Sequence, residues 1–109
     1  MAKVKAVRVD PKNRIVTSIE FDGYEGLMEQ MTDISCICLI PVCVEKWSGI
    51  TAYTDDEGLL KPDQSFTLFP WYVQPIAGVV VVCGAPDFNG DDTSCPFTTI
   101  EIAKEIRFL

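Results

Sequence analysis

Cysteine is the residue type in this sequence best suited to metal binding or redox chemistry. Five cysteines occur, and Cys36, Cys38 and Cys43 lie close together. On a strand, the first two would share one face and could hold a soft metal with Cys83 or Cys95. Zinc sites and redox pairs both favour two cysteines separated by two residues, a spacing that is absent here. The favoured interpretation is reduced thiols that fill core space, with no metal bound.

A second candidate for metal binding is a polar segment that resembles a calcium loop. Asp87, Asn89 and Asp91 alternate as calcium ligands do. However, Gly90 falls at loop position four instead of six, and Thr98 stands where a bidentate Glu is needed. We therefore expect a solvated turn with no metal.

Histidine is absent from the sequence. It is the commonest general base and the usual partner of a Ser or Cys nucleophile. The sequence also contains neither a Walker phosphate loop nor a G-x-G-x-x-G fingerprint. We expect a protein that is not an enzyme and that needs no cofactor.

The densest run of carboxylates is Asp55, Asp56 and Glu57, which lies next to Tyr53. Consecutive acids on a turn repel one another and usually form a solvated hairpin tip. The alternative is a docking site for a partner surface rich in Arg or Lys. These four residues are candidate binding residues.

Aromatic residues cluster in a segment that also contains prolines. Phe69, Trp71 and Tyr72 are its candidate binding residues, together with the more distant Trp47. Aromatic side chains are enriched at interfaces, but they also close small cores. Core packing is the favoured interpretation, and a binding surface, if one exists, is predicted here.

Charge is distributed unevenly along a chain whose net charge is −7. The first twenty residues hold five basic and two acidic side chains, whereas residues 21–63 hold nine acidic and two basic ones. An acidic surface opposes binding to phosphate backbones. We therefore expect no direct nucleic-acid binding, and a basic protein surface is the predicted partner.

Neither a signal peptide nor a membrane span is predicted. Charged residues interrupt the apolar residues of the N-terminus, and apolar runs such as Val79–Cys83 are too short to cross a bilayer. An odd number of cysteines without a secretory signal fits a reducing compartment. The expectation is a cytoplasmic protein without membrane contact.

The 109 residues are the usual size of one domain. Period-two alternation predicts a hairpin of Val4–Val9 with Ile15–Glu20, and helical spacing predicts a helix over 23–31. Further strands are predicted over 34–44, 50–53, 65–69 and 76–83, the last as the clearest central strand. Thr98 and Glu101 predict a capped helix before a terminal strand over 105–108. The predicted fold is α+β, a mostly antiparallel sheet with one or two short helices packed on one face.

Short segments along most of the chain carry a resemblance. They are Val4–Val9, Tyr24-x-x-Leu27, Tyr53-x-Asp55-Asp56-Glu57-Gly58-Leu59-Leu60-Lys61, and Gln74-Pro75-Ile76-x-Gly78 leading to Val82-x-Gly84. Their order resembles a family of small uncharacterised domains found mainly in bacteriophages and mobile elements. The resemblance implies a phage or mobile-element origin and transfers no site residues.

Three function classes follow from these observations. The first is a small accessory protein that binds a host protein with a basic surface. The second is a protein that sequesters a small ligand, in a pocket formed at a homo-oligomer interface. An enzyme ranks last, because acids, Tyr and Cys would have to carry out all of the chemistry.

Overall fold

The computed structural model contains two antiparallel sheets and two short helices. It describes residues 3–30, 37–40, 49–55, 65–72, 74–85, 88–89 and 93–109. In chain order the elements are β1 (Val4–Asp10), β2 (Ile15–Phe21), α1 (Gly23–Gln30), β3 (Ile37–Ile40), β4 (Ile50–Asp55), β5 (Phe66–Leu68), β6 (Ile76–Ala77), β7 (Val80–Gly84), α2 (Thr99–Glu105) and β8 (Arg107–Phe108). The larger sheet has the order β2-β1-β7-β4-β3, and the smaller has the order β6-β5-β8. The predicted α+β class is confirmed.

The predicted hairpin of β1 and β2 is confirmed, and Asp10 organises its turn. Its carboxylate accepts hydrogen bonds from the backbone N–H groups of Lys12 and Asn13 and from Asn13 Nδ2. Arg8 lies 3.5 Å from the same carboxylate. Partial burial raises the pKa of Asp10, but these hydrogen bonds and the Arg8 charge outweigh burial and hold the pKa below its usual value.

The predicted single strand over 76–83 is wrong, because the chain changes sheets within it. Ile76–Ala77 forms β6 of the smaller sheet, and Val80–Gly84 forms β7 at the centre of the larger one. Gly78 lies between them with φ +79°, a left-handed conformation that favours glycine, and its N–H donates to Ser65 O at 3.0 Å. The turn at Gly78 thus connects the two sheets.

The larger sheet separates two clusters of buried side chains, because successive residues of a strand point to opposite faces. One cluster lies between the larger sheet, the smaller sheet and α2: Val7, Val9, Ile50, Ala52, Phe69, Trp71, Ile76, Val80, Val82 and Ile102. We call it the inter-sheet cluster. The other lies under α1 and is called the α1 cluster: Ala6, Phe21, Leu27, Val81 and Cys83. Each fully buried aliphatic side chain of this kind contributes roughly 1.5–3 kcal/mol.

These clusters place the two helices on opposite faces of the larger sheet. Leu27 of α1 packs with Ala6 and Val81, whereas Ile102 of α2 packs with Val9 and Val80. The α+β class is as predicted, but the predicted packing of the helices on one face is wrong. Because both faces carry a buried cluster, α1 and the α2 layer enclose the larger sheet from two sides.

Each helix has a terminus held by a side chain. The predicted capping box of α2 is confirmed, since Thr98 Oγ1 accepts from Glu101 N and Glu101 Oε1 accepts from Thr98 N, both at 3.1 Å. At the end of α1, Arg8 Nε donates to Gln30 O at 2.8 Å. A cation at a helix C-terminus is stabilising. Arg8 thus ties α1 to β1.

The segment around Ser94 lies between the ends of β1 and β7. Gly84 N donates to Thr93 O at 2.8 Å, while Ser94 Oγ and Cys95 N bond the backbone N–H and carbonyl of Lys5. A side chain at Gly84 would collide with Thr93 Oγ1 and Ser94 O. Glycine is therefore required at the end of the central strand.

Candidate functional site

The predicted acidic site begins at the last residue of β4. Asp55 pairs with Ile37, and Tyr53 pairs with both Leu39 of β3 and Val81 of β7. Asp55 belongs to the antiparallel ladder, two residues beyond the predicted end of this strand at Tyr53. Asp56 and Glu57 lie outside the described residues. The acidic run thus starts from a backbone that is fixed by a neighbouring strand.

Tyr53 lies in the middle of β4 and is partly exposed. It packs against the α1 cluster, next to β3 at one edge of the larger sheet. Its ring therefore has one side in the core and another accessible to a partner, the arrangement that makes tyrosine common at interfaces. Of the predicted binding residues, Tyr53 and Asp55 are the pair that the structure brings together on one strand.

The favoured interpretation of core packing is confirmed for Phe69 and Trp71, so these two candidate binding residues are not available to a partner. They are only 2% and 1% exposed, and their ring centroids lie 4.9 Å apart at an interplanar angle of 31°. The physical reason is the space between the two sheets, which these large rings fill. Tyr72 is half-buried and packs against the same inter-sheet cluster.

The predicted binding residues do not form one surface. Tyr72 packs against the inter-sheet cluster and Tyr53 against the α1 cluster, and these clusters lie on opposite faces of the larger sheet. Trp47 lies outside the described residues. The described candidates therefore fall in two places, at the end of β4 and near Tyr72, and Asp55, the first acid of the run, belongs to β4.

The cysteines that the structure describes are distributed over both faces. Cys83 is buried in the α1 cluster, and Cys95 is partly buried against the inter-sheet cluster. Cys38 pairs with Thr54 in the β3–β4 ladder, and Cys36 and Cys43 lie outside the described residues. Burial raises the pKa of Cys95, and although a backbone hydrogen bond from Phe97 lowers it, the net shift is upward. Cys95 is thus a protonated thiol at neutral pH.

Metal-ligand clusters are absent from the portion of the chain that the structure describes: no three His, Cys, Asp or Glu residues come close enough to hold an ion. Within the predicted calcium-like segment, Asp87, Gly90 and Asp91 lie outside the described residues. Thr98 is the N-cap of α2, and its hydroxyl accepts from Glu101 N.

Two buried hydroxyls are polar groups that the sequence analysis did not single out. Thr54 Oγ1 and Thr67 Oγ1 have no hydrogen-bond partner among the described residues. Thr67 is fully buried between Ile76 and Phe108 of the adjoining strands. The sequence signal is weak, because a threonine in a strand is ordinary whichever face it occupies.

No helix among the described residues is long and apolar enough to cross a membrane. No protein-family model matches the chain, and searches of curated proteins and of solved structures return no match.

Proposed function

We propose that the protein acts by binding another protein that presents a basic surface, and that the contact is made at the acidic end of β4. The observation that carries the proposal is the position of Asp55, the last residue of a strand paired to its neighbour, from which the sequence continues as Asp56 and Glu57. A carboxylate on a fixed backbone loses less conformational entropy on binding than one on a free loop.

The edge position of this segment supports the proposal. Among the described strands, β3 is the outermost on its side of the larger sheet, and β4 lies directly inside it. Tyr53 adds a partly exposed aromatic ring close to the acids. Protein interfaces commonly have aromatic residues at the centre and charged residues at the rim.

Charge supports the same class of partner. The net charge of −7 attracts basic surfaces over distance and opposes phosphate backbones. In this proposal the protein has the phage or mobile-element origin that the resemblance implies, and its partner is a cytoplasmic protein of the host. The protein performs no bond-making step of its own and contacts neither nucleic acid nor membrane.

The test compares two variants that remove equal charge. Asp56→Asn with Glu57→Gln removes the two acids that follow Asp55 in the sequence and leaves every residue of β4 unchanged. Glu25→Gln with Glu29→Gln removes two acids from exposed positions of α1. The tagged wild type and both variants are used to capture host proteins, which are identified by mass spectrometry and then purified for titration at two salt concentrations.

A partner that binds through the acidic end of β4 is retained by the wild type and by the α1 variant and is lost by the β4 variant. Because the contact is electrostatic, its affinity also falls as salt rises. If both variants bind the purified partner equally well, net charge alone attracts it, and the proposed site is wrong.

A second candidate function, the binding of a small polar ligand, is favoured by the two buried hydroxyls. Thr54 and Thr67 each leave a hydroxyl without a partner in the described part of the interior, and a buried polar group usually has one. Mass spectrometry of the supernatant after heat denaturation tests this candidate. A ligand released from the wild type and missing from Thr67→Val would favour it over protein binding.

A further inference from the structure

Among the described strands, β2 is outermost on its side of the larger sheet, and it is long and regular. Each residue of β2 pairs with one residue of β1, from Val4↔Phe21 to Asp10↔Ile15, with no bulge. Thr17 and Ser18 point to opposite faces, and both are exposed. The centre of this strand is therefore exposed on both faces.

Most edge strands carry features that prevent pairing with another chain, such as proline, a bulge or several charges. β2 contains no proline, and Glu20 is its one charged residue. Its side chains include Ile15, which is 47% exposed, and the half-buried Ile19. An edge of this kind presents free backbone groups and some apolar surface to a further strand.

The ends of β2 carry opposite charges. Lys12 and Arg14 precede the strand, Glu20 and Asp22 lie at its other end, and all four are exposed. Two copies of such a strand attract each other only when they run antiparallel, because each basic end then lies beside an acidic end. The charge pattern is therefore complementary to itself.

Backbone geometry selects the register. In an antiparallel ladder every second residue directs its N–H and C=O to the same neighbouring strand. The β2 residues whose backbone groups point away from β1 are therefore either all odd-numbered or all even-numbered. In a pair of β2 strands, this set of residues must lie opposite the same set in the other copy. The register that pairs all seven residues places Ser18 opposite Ser18 of the second copy. It places Thr17 opposite Ile19, Ile15 opposite Phe21, and Arg14 beside Asp22.

We infer that two copies of this chain associate through their β2 edges and form one continuous antiparallel sheet across a two-fold axis. The interface is isologous, so each Arg14–Asp22 contact occurs twice. It rests on features of β2 and does not depend on the function proposed for β4. In the dimer the two β3 edges lie at the outer ends of the sheet, so a partner bound there would be bound twice.

Charge reversal at the two ends of β2 tests the dimer. Arg14→Asp places two acids together at both ends of the interface, and Asp22→Lys places two cations together. Arg14 has φ +54°, a conformation that Asp tolerates better than most residues, so the first variant suits its backbone. Sedimentation equilibrium measures the association of each variant alone and of an equimolar mixture.

The wild type is expected to dimerise and each variant alone to associate at least about tenfold more weakly. The mixture is expected to recover dimers, since every reversed charge then meets its opposite. Glu29→Lys, which makes the same charge change as Asp22→Lys on an exposed position of α1, serves as the control and dimerises as the wild type does. Far-UV circular dichroism of each variant establishes that it is folded.

A wild type that remains monomeric at its highest soluble concentration would overturn the inference. So would variants that dimerise as tightly as the wild type, because the interface would then lie elsewhere. A mixture that associates no better than its components would show that the β2 ends do not face each other.

Discussion

The two outermost described strands of the five-stranded sheet differ in the arrangement of charge. β2 has cations at one end and acids at the other, whereas β3 lies beside β4, which ends at the first of three consecutive acids. A pattern with both signs can complement a copy of itself, but a pattern with one sign repels its own copy. The first edge therefore suits a homodimer and the second suits a different, basic partner.

Both edges depend on β7, the strand at the centre of the sheet. Gly84→Ala is expected to lower the free energy of unfolding by about 3 kcal/mol, because the added methyl group would collide with Thr93 and with the Ser94 backbone. Both edges should then lose binding together. Urea denaturation measures the loss, and Gly49→Ala is the control, since a methyl group there would meet only Pro96 at 3.9 Å. Equal stability of the two variants would contradict the packing described at Gly84.

Ser18→Lys is expected to weaken dimerisation through β2 without changing partner binding at β4. In the proposed register the two copies of this substitution lie directly opposite each other, and a lysine on an edge strand opposes pairing in any case. Dimer affinity should fall at least about tenfold, while the binding of a basic partner at β4 is unchanged. The two properties are measured by sedimentation and by titration of that partner. Parallel loss of both would show that the edges are not independent.

A substitution between the sheets should affect neither edge. Thr67→Val replaces a buried hydroxyl that has no partner among the described residues, and we expect a gain of about 1 kcal/mol in the free energy of unfolding. Thr67→Ala removes the same hydroxyl together with the methyl group and leaves a void, so it should be less stable than Thr67→Val. Urea denaturation of both variants is the check. A valine variant less stable than the wild type would indicate that the hydroxyl has a bound partner.

The smallest expected effect is a pH dependence at the turn end of β2. The pKa of Asp10 is lower in the folded protein than its usual value, so its ionised form stabilises the hairpin at pH values above about 4. This contribution is lost as the pH falls through the lowered pKa. Asp10→Asn should therefore show a flatter dependence of unfolding free energy on pH in the acidic range. Superimposable pH profiles of the variant and the wild type would exclude a role for the carboxylate.

Local sequence signals predicted the elements that local chemistry determines. The β1–β2 hairpin has alternating apolar residues and a turn in which Asp10 can cap the following N–H groups, and α2 has both members of its capping box. Such patterns act over a few residues and are therefore visible in the sequence.

Properties that depend on distant residues were not predicted. The apolar run over 76–83 does not show that Gly78 has a left-handed backbone conformation. The run is divided between two sheets because β6 pairs with β5, whereas β7 pairs with β1 and β4. Core packing of Phe69 and Trp71 is the favoured interpretation from sequence, but the surfaces that enclose the two rings depend on which faces of the sheets meet. The β2 edge was overlooked because strand order, which decides which strands are outermost, is a property of the whole fold.

Amide hydrogen exchange of the wild type, measured over increasing protein concentration, tests most directly the claim that the two edges bind different partners. Exchange at the outward-facing amides of β2 should slow as concentration rises, whereas exchange at Ile37–Ile40 of β3 should stay constant until a basic partner is added. Exchange rates in β2 that do not depend on concentration, or protection that appears at β3 instead, would contradict this account.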